Sequence, residues 1–162
     1  ENIKIDSINV KDLNPLDELY YLKGLEINRV NINDISKVQG HKGLTLLKIT
    51  ASPVSDFSSI TSLKQLKHLD ISNTGITDLD FISELKALEI LKISGTRIKK
   101  LNPLSSLTHL KELDISNTGI KSLKPIGSLM DLEMITCYNT GLKSKAIDGF
   151  KADHPDCQVL YY

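Results

Sequence analysis

The chain of 162 residues has no tryptophan, only two cysteines and two methionines, and an aromatic share of 5%. Two cysteines exclude a disulfide scaffold and leave the redox compartment open. No stretch approaches the roughly 18 consecutive apolar residues that a membrane-spanning helix needs. Neither sign of charge is in excess, because 20 Lys and Arg balance 20 Asp and Glu. The total therefore lends no long-range attraction to nucleic acid or to an anionic membrane. Walker, zinc and GxGxxG signatures are missing too, which removes the common nucleotide and metal chemistries from consideration. The opening ENIKIDSINV lacks an initiator Met and the basic-then-apolar pattern of a secretory signal. A fragment or processed chain is expected on that ground. What is present is 40% apolar and 25% charged, ordinary for a single globular domain of this length.

The distinctive content is repetition. The octapeptide LDISNTGI occurs at Leu69–Ile76 and again at Leu113–Ile120. The two copies lie 113 − 69 = 44 residues apart, or two periods of 22. A shift of 22 finds LKISGTRI from Leu91 between the copies and ITCYNTGL from Ile135 after them. Leu22, Leu44, Leu66, Leu88, Leu110 and Leu132 mark six starts without insertion or deletion, and Ile3, Ile5, Val10, Leu13, Leu16 and Leu19 fit an earlier unit. Within a unit, Leu69 and Ile71 alternate with polar residues as a half-buried strand does. The later spacing of three, at Leu79, Ile82 and Leu85, suits a 3₁₀ return segment. One such unit cannot bury its apolar side alone, whereas stacked units can. The expectation is a solenoid with a parallel sheet on one face and helical turns on the other.

In this pattern, and in LNPLDELYYL, LNPLSSLTHL and LKPIGSLMDL, the chain resembles leucine-rich-repeat proteins, in particular the 22-residue internalin-like bacterial subclass. The resemblance covers nearly the whole chain. It implies an α/β solenoid, a curved arc with a parallel β-sheet on the concave face and short helical or 3₁₀ segments on the convex face. Residues 1–162 form one domain on this reading, with seven 22-residue repeats over 1–143 and a cap over 144–162. One departure concerns a turn position where the family carries Asn. Thr74, Thr96, Thr118 and Thr140 stand there in later units, and Ile8, Val30 and Ser52 in earlier ones. A Thr ladder is expected in the later units, and another solution in the first ones. The next column holds Asn9, Asn31, Pro53, Gly75, Arg97, Gly119 and Gly141. Pro53 cannot take positive φ, so glycine there is convenient and not obligatory.

Near the C-terminus the template breaks. Lys145, Asp148 and Lys151 occupy former apolar positions, and Ile147 and Phe150 take over. That substitution predicts an amphipathic helix ending before Pro155, then an eighth strand around Cys157–Leu160 in unchanged 22-residue register. Constant register puts Asp156, Gln158 and Leu160 on the outward face. No comparable cap is legible at the N-terminus, so the first strand's edge is expected to be either exposed or covered by residues outside the sequence.

Candidate chemistry is sparse. His68, Asp70 and Ser72 alternate along one strand, but alternate residues stand about 6.6 Å apart with parallel side chains. A triad needs contacts of about 2.6–3.2 Å arriving from different directions, so a hydrolase is disfavoured. Cys137 and Cys157 fall on adjacent strands with an expected Cα separation of about 8 Å, beyond the ~7 Å limit for bridging. They read as buried free thiols. His41 takes a leucine position, and His109 and His154 are expected at surface or turn positions. No cofactor and no metal are expected.

What remains is the outward face of the sheet. Its central column reads Lys4, Glu26, Lys48, Asp70, Lys92 and Asp114, an alternation that neutralises neighbours and lacks the uniformly basic stripe that nucleic acid wants. Leu46, Ile90, Met134 and Tyr138 add apolar and aromatic groups among Lys48, His68, Asp70, Lys92, Glu112 and Asp114. Apolar groups on a concave surface with a polar margin suit an interaction site. The resemblance implies a non-enzymatic module binding a protein or peptide there, with a regulatory or scaffolding domain of a larger intracellular protein, such as a kinase, as the alternative. A monomer with no nucleic-acid partner and no membrane insertion is expected, and the internalin-like resemblance favours a secreted or cell-surface location.

Overall fold

Period-two alternation and period-three return recur every 22 residues, and in the computed structural model each unit duly contributes one strand and one tight helical turn. The structure describes residues 1–6, 10 and 12–161. Its strands are β1 (Asn2–Asp6), β2 (Gly24–Asn28), β3 (Leu46–Thr50), β4 (His68–Asp70), β5 (Ile90–Lys92), β6 (Glu112–Asp114), β7 (Met134–Thr136) and β8 (Gln158–Leu160). They form one parallel sheet in sequence order. Pairing from β1 to β7 advances by 22 residues at every step, so Gly24, Leu46, His68, Ile90, Glu112 and Met134 share one row. Short 3₁₀ turns, such as Ser58–Ser62 and Asp80–Glu84, return the chain on the opposite face.

The core lies between these two layers. Leu69, Ile71, Leu91, Ile93 and Leu113 point inward from the sheet side and are essentially inaccessible, as are Ile60, Ile82 and Leu104 from the 3₁₀ side. Phe57 and Phe81 stack across neighbouring units with centroids 5.8 Å apart. His41 is buried in its leucine position.

The turn that follows each strand is built by three successive columns. The first is left-handed, with φ of 55° at Arg29, 49° at Ala51, 56° at Asn73, 68° at Gly95, 55° at Asn117 and 51° at Asn139. Asn and Gly fill four of these six positions because they adopt this backbone most cheaply. Each N–H there from Arg29 to Asn117 donates to a carbonyl of the next unit, for example Asn73 to Ser94 and Asn117 to Tyr138. The second column carries the expected threonines, but their bonds run within a unit. Thr74, Thr96, Thr118 and Thr140 donate Oγ1–H to Ile71, Ile93, Ile115 and Cys137 carbonyls at 2.7, 2.6, 2.6 and 3.2 Å. Ser52 solves the turn differently, donating to the Thr50 carbonyl while its Oγ accepts the Val30 N–H at 3.4 Å. That accounts for buried Val30, while Ile8 and Asn9 lie outside the described residues. The third column, with Gly75, Gly119 and Gly141, keeps negative φ, so no backbone need forces glycine there.

At the C-terminus, α1 (Ser144–Asp153) buries Ile147 and Phe150 and ends before Pro155, as the sequence predicts. The register of the last strand does not hold. Met134 pairs with Gln158 and Thr136 with Leu160, a step of 24. The α-helix takes two more residues than a 3₁₀ turn to make the same return, and β8 slides by one side-chain pair. Gln158 and Leu160, and not Asp156 and Gln158, therefore continue the two outward columns. His154 departs from its expected surface position as well. It is buried and stacks on Phe150 with centroids 4.0 Å apart, and its Nδ1 lies 3.2 Å from the Phe150 carbonyl.

Candidate binding face

The outward side of the sheet brings the sequence-derived residues together in two adjoining rows. Leu46, His68, Ile90, Glu112 and Met134 are direct neighbours in one row, and Lys48, Asp70, Lys92 and Asp114 in the next. All are half-buried, since each is hemmed in by equivalents on both flanking strands. Tyr138 is half-buried too, but it lies beyond the end of β7, and its N–H donates to the Ser116 hydroxyl at 3.2 Å.

The charge alternation is less of a salt-bridge ladder than the column suggests. Among the described residues the only ion pair that joins two members of the column is Lys48 to Glu26, at 3.1 Å. Asp70 and Asp114 instead use Oδ1 to accept the backbone N–H of Ser72 at 3.0 Å and Ser116 at 2.9 Å. These carboxylates close the strand exit, which is how a short polar side chain ties a turn. Asp70 is therefore held by the Ser72 backbone, and no hydrogen bond joins it to the His68 ring. The arrangement has no nucleophile–base–orienter contact.

His68 is the electrostatic oddity of the face. Its Nε2 is buried without a hydrogen-bond partner. Burial first, and then the Lys48 and Lys92 ammonium groups, hold its imidazole below the ordinary histidine range, with Asp70 and Glu112 opposing. The ring is thus kept neutral between Leu46 and Ile90 and extends their apolar row. An apolar–His–apolar triplet across three strands is visible in the sequence only once the 22-residue columns are aligned.

Concavity on this face is shallow. A depression of about 70 Å³ lies among Lys92, Glu112, Leu113, Asp114, Met134 and Thr136. Small-molecule sites run to roughly 300–1,000 Å³, so this depression suits one side chain of a larger partner. Among the described residues no group of three His, Cys, Asp or Glu is placed to hold a metal. Cys137 and Cys157 are free and buried, and burial, reinforced by Asp114, pushes the Cys137 thiol up to about 11.

The family profile described as Leucine Rich repeats (2 copies) matches residues 64–106, the stretch that contributes β4 and β5. The fold is a leucine-rich-repeat solenoid. Its solenoid superposes on an internalin from Listeria monocytogenes with a TM-score of 0.90 at 23% identity, covering 99% of this chain and 47% of that one. Internalin C2 from the same species gives 0.89 at 23% identity, over 99% of this chain and 73% of that one. A leucine-rich-repeat protein from Leptospira interrogans gives 0.80 at 24% identity, over 88% and 38%. The solenoid therefore spans about half of the first internalin. A comparison with curated proteins found no match. The leucine-rich-repeat fold is in general a protein-binding scaffold, and these three solved neighbours are bacterial.

Proposed function

We propose that this solenoid is a non-enzymatic binding module that takes a protein or extended peptide across β3 to β7. The observation that carries the proposal is the triplet Leu46, His68 and Ile90 in direct register, flanked by Lys48, Asp70 and Lys92. Leu46 and Ile90 offer desolvatable area, and the flanking charges orient the partner. Met134 and Tyr138 extend the footprint toward the C-terminus. The sheet is held in place by neighbours on both sides, so little conformational freedom is lost when a partner docks. The shallow relief of the face favours an extended partner over a small ligand.

The test is selection of a displayed peptide library on the immobilised wild-type chain, followed by titration of the selected peptides against variants. Ile90→Asp combined with Tyr138→Asp should weaken binding at least tenfold while the melting midpoint stays within about 3 °C. Unchanged affinity in a folded variant would remove these side chains from the footprint, and unfolding would show them to be structural.

A further inference from the structure

One lateral edge of the solenoid, formed by the segments that leave the threonine turns, carries charge in two blocks. Residues 31–36, 53–58 and 75–80 contain Asp34, Asp56, Asp78 and Asp80 and no basic residue. Residues 97–102, 119–124 and 141–146 contain Arg97 and six lysines, Lys99, Lys100, Lys121, Lys124, Lys143 and Lys145, and no acidic residue. In the first unit Lys11 and Asp12 cancel in formal charge. The acidic and basic residues of both blocks are exposed. Seven ion pairs occur among the described residues, and none uses a side chain of either block.

Part of the acidic block has a local role. Asp34, Asp56 and Asp78 accept the N–H groups of Ser36, Ser58 and Asp80 at the start of the 3₁₀ turns, at 2.8, 2.8 and 3.4 Å. Lys100 stands at the same position in the fifth unit, so the turn does not require the carboxylate. The basic block has no such local use, yet its stems are held down. A Cβ built on Gly119 would meet the Lys99 Cγ at 3.0 Å, and one on Gly141 would meet the Lys121 Cγ at 2.7 Å. Gly119 and Gly141, which the turn itself does not need, thus let the Lys99 and Lys121 stems lie along the next unit.

The two blocks mirror each other about the junction between the fourth and fifth units. Asp78 and Asp80 lie one step from it, opposite Lys99 and Lys100. Asp56 lies two steps out, opposite Lys121 and Lys124, and Asp34 three steps out, opposite Lys143 and Lys145. An open hollow of about 570 Å³ sits at the junction itself, lined by Asp78 and Asp80 on one side and Lys99 and Lys100 on the other. A two-fold axis through this hollow would bring every acidic step of one molecule onto a basic step of its mate, which is the self-complementarity an isologous dimer requires. We propose that this edge is a self-association surface whose partner is a second, antiparallel copy of the same chain. A free polyanion would use only the lysine block and would be repelled by the aspartates. The dimer uses both blocks.

Such an interface is small, wet and electrostatic, so it answers to salt, because screening shortens from about 30 Å at 0.01 M to about 3 Å at 1 M. Sedimentation equilibrium of the whole chain should show a monomer–dimer equilibrium near 0.01 M salt that weakens by roughly tenfold or more toward 0.5 M. One variant, Lys99→Glu, Lys100→Glu, Lys121→Glu and Lys124→Glu, gives the inner two steps of the basic block a net negative charge. A second, Asp56→Lys, Asp78→Lys and Asp80→Lys, makes the inner two steps of the acidic block basic. Each alone should be folded and monomeric, the second with a slightly lower melting midpoint because the Ser58 and Asp80 N–H groups lose their carboxylate acceptors, and an equimolar mixture should regain a one-to-one dimer. A wild-type chain that stays monomeric at low salt overturns the proposal. Retention on a sulfated-polysaccharide resin without self-association would assign the lysine block to a polyanion instead. A dimer unaffected by either variant would place the contact elsewhere.

Discussion

Single residues carry two costs that are not visible from hydrophobicity. Ala51 holds φ at 49°, in a column that Asn and Gly otherwise occupy. A left-handed conformation costs an ordinary L-residue about 1–2 kcal/mol, and Asn distinctly less. Ala51→Asn should therefore stabilise the chain by about 0.5–1 kcal/mol in urea titrations. The second cost is His68. Its imidazole is held below the ordinary range by burial and then by Lys48 and Lys92, so the unfolded chain binds this proton more readily than the folded one. Folded-state stability is then full above the unfolded value near 6.5 and is lost as pH falls from there through the folded value. Replacing His68 with Gln should flatten the stability profile in that window. The loss at lower pH should persist, since Asp34 and Asp56 are lowered by the backbone N–H groups of Ser36 and Ser58 and titrate below 3.8. Urea midpoints of both proteins measured between pH 2.5 and 7.5 check this.

At the scale of elements, the strand and the turn carry different loads. Ile115→Ala opens a cavity at a fully buried position and should cost about 2–5 kcal/mol. Thr118→Val removes the bond to the Ile115 carbonyl at nearly constant volume and should cost about 1–2 kcal/mol, both read from equilibrium unfolding. The same contrast explains what the sequence reveals and what it hides. Strand positions are legible because a period of two on one side of a leucine column admits a single burial pattern. The left-handed column is harder to see, because Arg29 and Ala51 disguise what Asn73, Gly95, Asn117 and Asn139 signal. Pro53 marks the column of Gly75, Gly119 and Gly141 as one of ordinary backbone, and the structure agrees. The outward rows follow from the register and are legible from β1 to β7. The double duty of Asp70 and Asp114 is not, because a carboxylate that neutralises a lysine and one that ties a turn are the same letter. The slide of β8 escapes because the length of an α-helical return is set by packing of Ile147 and Phe150, not by the repeat count. Burial of His154 escapes for the same reason.

For the whole molecule, each unit touches only its neighbours, so stability is close to a sum of unit and interface contributions. Opening can then start from the end units without the centre. Cys137 reports on such opening, since burial and Asp114 push its thiol up to about 11 and a thiol so raised is almost entirely protonated at pH 8. Labelling of the native chain by a thiol reagent should be slower than that of the guanidine-unfolded chain by at least a hundredfold. Labelling as fast as in the unfolded chain would show the C-terminal units to be loose. The constant step of 22 from β1 to β7, against 24 at the last strand, also divides the chain into interchangeable parts and one that is not. A copy of residues 91–112 spliced in after Glu112 meets Leu113 in the column it expects, and the threonine and left-handed positions fall in line without adjustment. The product should be a folded nine-stranded protein with a higher melting midpoint. The same splice across α1 would strand a cap helix in the interior. The protein can therefore be lengthened like a ruler, in whole divisions, anywhere short of its final one.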